Sequence, residues 1–361
     1  MTQIAIPFHF MRGGTSRGPY FRRSDLPEDQ ETLSKVLITA VGAGHPNNID
    51  GLGGGVAVTT KVAMLGVSDE DVADVDYFFA QVAVDEAQVD YRPTCGNILV
   101  GVGPAAIEMG LVPATDPETK VRIRAVNTGA LVEAVVQTPG GQVNYAGDVV
   151  IDGVAGSSAP VGLNFLDVVG SKTGAMFPTG NPIDVIDGVE VSCVDVAMPM
   201  MIARATDFGI TGYESRDELE AMPELFKRME AIRLKAGELM GLGDVAQSVT
   251  PKIGLVAPAR DGGHFSVRYF MPWSTHPTLA VTGSQCLAAC ALAPETVMEG
   301  MCAAFDASPV VVRIEHPVGQ MEVTVAYTRT DGVFEFHSAG LVRTARMIAR
   351  GEVMVPESDL S

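Results

Sequence analysis

Short apolar segments rich in β-branched residues alternate along the chain with turns of Gly, Pro, Asn and Asp. Runs of this length and composition predict β-strands. The predicted strands are Ile4–Phe10, Lys61–Leu65, Asp74–Val84, Lys120–Asn127, Glu133–Gln137, Gln142–Tyr145, Val161–Asp167, Val189–Asp195, Met200–Ala205, Ile253–Ala257, His264–Phe270, Val310–Glu315, Met321–Thr328 and Val333–Ser338. The pattern therefore predicts an α+β fold with a strand-rich frame.

Two short helices interrupt these strands, and they resemble each other. One covers Ile98–Met109 and the other covers about Ser284–Leu292; both are nearly uncharged and rich in small residues. Each is introduced by a turn that contains glycine, Thr94-Cys95-Gly96-Asn97 in the first case and Thr282-Gly283-Ser284 in the second. Pro104 predicts a kink or an early end in the first helix. The likeness suggests a duplicated architecture with two central helices, although ordinary core helices would show the same pattern.

A third helix is predicted over Glu214–Met240, where charged and apolar residues alternate at helical spacing. We expect it to cover the outside of the protein. Pro223 lies inside this segment and must break or restart the helix.

Composition and charge restrict the class of protein. The chain has 361 residues, which is enough for about two domains. Its net charge of −19 argues against partners that are nucleic acids or anionic membranes, because both require a basic surface. No apolar run is long enough to span a bilayer, and the N-terminus shows no secretion signal. We therefore expect a cytoplasmic protein.

The five cysteines indicate neither a disulfide framework nor a zinc site. Their number is odd, and they show no CxxC pair and no metal-like spacing with histidine. Cys95 is distinctive because it directly precedes a helix, where unpaired backbone N–H groups favour the thiolate form. The same N–H groups, those of Gly96 and Asn97, can hold a substrate carboxylate. A single cysteine in an apolar setting is nevertheless more often an inert core residue.

Two further segments carry candidate chemistry. Residues 11–18 read Met-Arg-Gly-Gly-Thr-Ser-Arg-Gly, which combines close backbone approach with the hydroxyls of Thr15 and Ser16 and with Arg12, whose guanidinium can bind a carboxylate. This segment matches neither a Walker loop nor a dinucleotide fingerprint. Lys61 follows a glycine-rich loop and enters an apolar strand, where partial desolvation makes it a plausible general base. A solvent-facing lysine at a strand end is the alternative.

The chain resembles the PrpF family through motifs that occur in order over nearly its whole length. These are Met11-Arg12-Gly13-Gly14-Thr15-Ser16, Ile49-Asp50-Gly51, Thr60-Lys61-Val62, Val75-Asp76-Tyr77, Cys95-Gly96-Asn97-Ile98, Asn127-Thr128-Gly129, Pro178-Thr179-Gly180-Asn181, Pro251-Lys252, His316-Pro317 and Arg343-Thr344-Ala345-Arg346. The family includes methylaconitate, methylitaconate and oxalomesaconate isomerases. Further segments, such as Ile151-Asp152-Gly153-Val154 and Gly340-Leu341-Val342-Arg343, look closest to 4-oxalomesaconate tautomerases.

The resemblance implies the diaminopimelate epimerase-like fold, with two pseudo-symmetric, strand-rich half-barrel domains around one central helix each and the site between them. The expected domains are residues 1–168, completed by 339–361, and residues 169–338. The resemblance also implies that Lys61 and Cys95 are catalytic and that a tricarboxylate reacts without metal or organic cofactor. Arg12, Thr15, Ser16, Gly96, Asn97, Lys252, Gly283 and Ser284 are expected to bind it.

Several alternatives remain open at this point. Epimerases of this fold carry a second cysteine at the start of the second central helix, whereas here the nearest thiol, Cys286, lies inside it and is expected to pack. An epimerase, a methylaconitate- or methylitaconate-type isomerase and a non-catalytic carboxylate sensor are the other candidates. Which of Lys61 and Cys95 is the base is open, as is the role of His276. A homodimer is a reasonable expectation.

Overall fold

Strands dominate the computed structural model, which describes residues 2–151, 153–302, 305, 307–330 and 333–360. Asp152, part of one motif named above, lies outside the described residues. The strands are β1 (Gln3–Gly13), β2 (Ser16–Arg22), β3 (Lys61–Val67), β4 (Val75–Val82), β5 (Val89–Asp90), β6 (Glu118–Ala125), β7 (Ala130–Gln137), β8 (Pro160–Leu166), β9 (Asp184–Ile186), β10 (Val189–Asp195), β11 (Pro199–Arg204), β12 (Lys252–Pro258), β13 (Phe265–Phe270), β14 (Val310–His316), β15 (Gly319–Thr330) and β16 (Val333–Pro356).

The helices are α1 (Gln30–Val41), α2 (Gly96–Val100), α3 (Val102–Glu108), α4 (Arg216–Glu220), α5 (Pro223–Leu239) and α6 (Val281–Leu292). Among the described residues, none of these helices combines the length and the apolar character needed to span a bilayer. The chain divides into two units, Met1–Phe165 with Val342–Ser361, and Leu166–Leu341.

The first unit is one mixed sheet in the order β16-β1-β2-β3-β4-β6-β7-β8, with β5 attached to β4. From β1 to β7, antiparallel and parallel pairings alternate. Helices α2 and α3 pack on one face of this sheet, which we call the inner face, and α1 packs on the other. Both faces are therefore buried, which explains why β3 is an almost unbroken apolar run.

The second unit repeats this pairing pattern. Its sheet has the order β9-β10-β11-β12-β13-β14-β15-β16, and antiparallel and parallel pairings alternate from β10 to β15. Helix α6 is buried along most of its length. Helix α5 contributes Leu225, Met229 and Ile232 to a buried cluster that also contains residues of β10, β11 and β12. The repeated pattern, with a central helix in each unit, agrees with the duplicated architecture that the sequence suggested.

The structure corrects several sequence predictions for local structure. Helix α1 was not predicted, although its buried residues recur at helical spacing and Asp29 caps it by accepting a hydrogen bond from the Thr32 N–H at 2.9 Å. The predicted strand Gln142–Tyr145 is not a strand; Val143 and Tyr145 pack on the core without ladder pairing. The first central helix breaks at Gly101, and Pro104 lies in the first turn of α3, where no helical N–H is needed. Pro223 restarts a helix, as predicted.

Asp74 and Arg122 join β4 to β6 in the first unit. The Asp74 carboxylate accepts hydrogen bonds from Arg122 Nη2 at 2.6 Å and from the Arg122 backbone N–H at 2.8 Å. These bonds hold the pKa of Asp74 below its usual value of 3.8. A carboxyl with a depressed pKa stabilises the fold above its ordinary pKa, and that stability is lost as the pH falls through the folded-state value.

We therefore expect Asp74→Asn to lower the free energy of unfolding by about 1 kcal/mol at pH 7, since the ion pair is partly exposed. The difference from wild type should shrink below pH 3.8, the ordinary value for this carboxyl. Urea unfolding at pH 7 and pH 3 measures both quantities. Asp85→Asn, at an exposed turn after β4, is the control. A difference between Asp74→Asn and wild type that does not change with pH would contradict this account.

Candidate active site

Lys61 is the first residue of β3, and its side chain lies on the inner face of the sheet. Successive side chains of a strand point to opposite faces. Ala63 and Leu65 belong to the inner-face core with α2 and α3, whereas Val62 and Met64 belong to the core beneath α1. Lys61 shares the parity of Ala63 and Leu65, and its Nζ lies 5.3 Å from the centre of the Phe79 ring.

Strand β4 pairs with β3 and carries the residues that contact Lys61. Lys61 lies opposite Gln81 in the antiparallel register, and its ammonium donates a 2.6 Å hydrogen bond to Gln81 Oε1. Gln81, Phe79 and Tyr77 follow one another at every second position, so all three point to the inner face. Among the described residues, Lys61 forms no ion pair with a carboxylate.

Cys95 lies beside Tyr77, at the opposite end of the row of β4 side chains from Gln81 and Lys61. It is the N-cap of α2, with extended backbone angles of φ −131° and ψ 108°. Its carbonyl accepts hydrogen bonds from the Leu99 N–H at 2.9 Å and from the Tyr77 hydroxyl at 3.3 Å. The Cys95 side chain is half-buried. One face of β4 therefore fixes both the lysine and the backbone that carries the thiol.

Two buried phenols surround this turn. The Tyr20 hydroxyl donates to the Ile98 carbonyl at 2.6 Å, just as the Tyr77 hydroxyl donates to the Cys95 carbonyl. Burial raises the pKa of both tyrosines well above the usual value. Both hydroxyls thus stay protonated as donors and hold the first turn of α2 in place.

The glycine-rich hairpin between β1 and β2 packs directly on this turn. A Cβ at Gly13 would lie 2.3 Å from the Asn97 carbonyl oxygen, and one at Gly14 would lie 2.1 Å from Asn97 Oδ1. The Asn97 side chain accepts from the Thr15 N–H at 3.3 Å and donates to Thr15 Oγ1 at 3.1 Å. Only glycine permits this approach, so the hairpin packs closely against Asn97.

Arg12 is half-buried, and its guanidinium contacts this hairpin. Its Nη1 donates to the Gly14 carbonyl at 2.9 Å and to the carbonyl and hydroxyl of Thr344 at 2.9 and 3.1 Å, while Nη2 reaches the Ser158 hydroxyl at 3.3 Å. The sequence predicted that Arg12 binds carboxylate directly. These contacts of Nη1 tie the hairpin to the C-terminal strand, and the binding of a carboxylate by Arg12 stays a prediction.

Ser16 follows the hairpin and has a side chain suited to binding. It is 4% exposed and shares the inner-face parity of Gly18 and Tyr20. Within the described part of the chain, its hydroxyl has no hydrogen-bond partner. A buried hydroxyl without a partner is uncommon, and the substrate-binding role of Ser16 stays a prediction.

The second unit places the other predicted residues differently. Ser284 lies inside α6, where its N–H donates to the Ala280 carbonyl at 2.8 Å and its hydroxyl donates to the Val281 carbonyl at 2.7 Å. The prediction that Ser284 offers a free N–H at a turn is wrong, because the helix begins at Val281. Gly283 lies in the first turn, where a Cβ would meet the Tyr269 ring at 2.8 Å. Its N–H stays a predicted carboxylate donor.

Lys252 is the first residue of β12, just as Lys61 is the first residue of β3. Burial, and then Arg233, lower the pKa of the half-buried Lys252. Burial also lowers the pKa of His276, whose Nδ1 accepts a 3.0 Å hydrogen bond from the Thr278 N–H. Neutral His276 therefore carries its proton on Nε2. The binding role of Lys252 stays a prediction.

Cys286 is fully buried within α6, and burial raises its pKa well above the usual value. The prediction that this thiol packs in the core is thus confirmed. The N-cap of α6 is Ala280, at the place that Cys95 has in α2. Among the described residues, no group of three or more His, Cys, Asp or Glu side chains is arranged to hold a metal ion.

The sequence analysis missed Gln81 and both tyrosines as parts of this site. The spacing of Tyr77, Phe79 and Gln81 marks one strand face. Their relation to Lys61 depends on the register between β3 and β4, which a single sequence does not give. The proximity of Tyr20 to α2 depends in turn on the packing of the hairpin.

This strand-rich α+β architecture, with a helix on the inner face of a mixed sheet, is the diaminopimelate epimerase-like fold. The sequence profile described as PrpF protein matches residues 3–356, and the chain therefore belongs to the PrpF family.

Named relatives cover almost the whole chain. The (4E)-oxalomesaconate Delta-isomerase of Novosphingobium sp. (strain KA1) is 46% identical over 97% of this chain and 98% of its own. The 4-oxalomesaconate tautomerase of Pseudomonas putida is 45% identical over 98% of this chain and 97% of its own. The crystal structure of methylitaconate-delta-isomerase is 36% identical, with a TM-score of 0.90 over 100% of this chain and 98% of that one.

Thiol reactivity tests the local geometry without a substrate. Cys193, Cys286 and Cys290 are buried, and burial raises the pKa of Cys193 and Cys290 to about 12. Burial also raises the pKa of the half-buried Cys302. We expect iodoacetamide at pH 8 to alkylate Cys95 first, Cys302 more slowly and the buried three only after unfolding in urea. Peptide mass spectrometry over time measures each rate. Equal rates at Cys95 and Cys302 would show that the α2 turn does not activate its thiol.

Proposed function

We propose that this isomerase moves a proton and a double bond within an unsaturated tricarboxylate, without a cofactor, and that 4-oxalomesaconate is its substrate. The relatives named for oxalomesaconate support this choice of substrate, since each is at least 45% identical over nearly the whole chain. The observation that carries the reaction type is the inner face of β4, where Gln81 holds the Lys61 amine and Tyr77 holds the Cys95 turn.

The reaction needs one base and one acid. A C–H next to a carbonyl or a conjugated carboxylate gives its proton to the base, and the electron pair delocalises as an enolate or dienolate. The acid then delivers a proton to another atom of the conjugated system, so that the double bond moves and no electrons are gained or lost. An amine and a thiol serve as this pair, in either order. Both keto–enol tautomerisation and allylic isomerisation follow from the same two steps.

The elements around Cys95 provide groups for a carboxylate and for the developing negative charge. The N–H groups of Gly96 and Asn97 lie in the first turn of α2, where they have no acceptor within the helix. The Ser16 hydroxyl lacks a protein partner among the described residues. We assign these three groups to substrate binding. Thr15 and Arg12 hold the hairpin against Asn97 and so fix the positions of the donors.

Proton NMR in deuterated water tests the function directly. We expect the protein to accelerate both deuterium incorporation and double-bond migration in 4-oxalomesaconate above a control without enzyme. Exchange at a stereocentre with inversion, but without bond migration, would indicate an epimerase. Binding that raises the unfolding temperature without any turnover would indicate a carboxylate sensor.

A second substrate class belongs in the same experiment. The structural similarity to methylitaconate-delta-isomerase extends over the full chain. Methylitaconate and methylaconitate are therefore assayed beside 4-oxalomesaconate under the same conditions. A higher kcat/KM for either compound would overturn the substrate assignment and leave the proton-transfer mechanism intact.

Replacement of the two proposed catalytic residues tests that mechanism. We expect Lys61→Met and Cys95→Ala each to lower kcat by about 10²- to 10⁴-fold, the usual contribution of a positioned acid or base. Lys227→Met and Cys302→Ala are the matched controls, because Lys227 is exposed and Cys302 is a second partly accessible thiol. Circular dichroism confirms that each variant is folded. Near wild-type kcat in either Lys61→Met or Cys95→Ala would exclude the pair.

A further inference from the structure

Gln81 holds the Lys61 amine through an amide group whose orientation is fixed on its other side. Its Nε2 lies 3.2 Å from the Ala57 carbonyl, 3.2 Å from the Val82 carbonyl and 3.1 Å from Thr60 Oγ1. The carbonyls accept hydrogen bonds and cannot donate them, so the nitrogen must face them. The amide oxygen therefore faces Lys61, at 2.6 Å from Nζ.

Thr60 strengthens this assignment. Its hydroxyl is buried and donates its only proton to the Val82 carbonyl at 2.7 Å. The same oxygen can then only accept from Gln81 Nε2. Ala57 belongs to the short 3₁₀ turn Ala57–Thr59 at the end of the glycine-rich loop. Gln81 thus connects this loop, the β3–β4 pair and the lysine in one hydrogen-bond network.

The chemical nature of this partner matters for a lysine that has to exchange protons. A carboxylate at this distance would favour the ammonium form strongly, through charge attraction. An amide oxygen accepts the same hydrogen bond without carrying a net charge. It can therefore fix the direction of the amine without adding a charge beside it. The Phe79 ring, whose centre lies 5.3 Å from Nζ, is a second neighbour without a net charge.

We propose that Gln81 is a positioning residue that aims the Lys61 amine through a hydrogen bond that places no negative charge beside it. This inference rests on the proposed function, in which Lys61 exchanges a proton with the substrate. Gln81 itself does not take part in proton transfer. Its contribution is a fixed direction for Nζ, and the absence of a negative charge beside it.

Two substitutions separate direction from charge. Gln81→Met keeps the length of the side chain and removes the acceptor, so we expect kcat to fall about 10-fold or more while KM changes less than about threefold. Gln81→Glu keeps an acceptor and adds a charge. The wild-type kcat–pH profile should contain one limb that Lys61→Met lacks. We expect Gln81→Glu to move this limb upward by about one to three pH units.

The controls distinguish this effect from a loss of structure. Gln88→Glu adds the same charge at an exposed position after β4, and we expect it to keep the wild-type pH profile. Thermal unfolding of all variants shows whether the network is needed for stability alone. Nuclear magnetic resonance of ¹³C-methylated lysines gives a second readout. The Lys61 signal is the one that is missing from the Lys61→Met spectrum, and we expect it to titrate at higher pH in Gln81→Glu than in wild type.

The outcomes separate the two proposals. Suppose that wild type is active, that Lys61→Met is impaired, and that Gln81→Glu matches the wild-type pH profile and lysine titration. The role of Gln81 is then overturned and the proposed function stands. If wild type isomerises none of the three compounds, the proposed function falls, and the positioning role of Gln81 falls with it. A displaced profile in Gln81→Glu, with Gln88→Glu unchanged, supports the positioning role.

Discussion

The site depends on the alternation of side chains along one buried strand. Strand β4 is covered on both faces, so each of its side chains is committed to one side of the sheet. Tyr77, Phe79 and Gln81 all point to the inner face, where they contact the Cys95 carbonyl and the Lys61 ammonium. A shift of one residue in register would turn all three away. The packing that stabilises the first unit is therefore the same constraint that positions its candidate catalytic residues.

The second unit shows how a repeated fold can differ in its chemistry. Both units alternate antiparallel and parallel pairs, and a lysine opens the corresponding strand in each, Lys61 in β3 and Lys252 in β12. The N-cap of the central helix is Cys95 in the first unit and Ala280 in the second. Extension of the β12–β13 register places Met271 opposite Lys252, where Gln81 faces Lys61. The complete set of thiol, amine and amide thus occurs in the first unit.

Much of this arrangement could be predicted from the sequence. The apolar runs marked most of the strands, and the glycine-rich segments before Lys61 and around Gly13 marked places of close backbone approach. Helix α1 was missed although its spacing was readable. Ser284 was misassigned because α6 carries no side-chain N-cap, which leaves its start unmarked in the sequence. Gln81 was missed because its position opposite Lys61 depends on the pairing register of β3 and β4, which is a property of two strands together.

The central claim is that Lys61 and Cys95 act on the same substrate as two separate proton carriers. Proton NMR in deuterated water can follow exchange and bond migration separately in Lys61→Met and Cys95→Ala. The account predicts that the variant that keeps the base still exchanges deuterium at one carbon without moving the double bond, whereas the other variant loses both. Bond migration at the wild-type rate in either variant would contradict it.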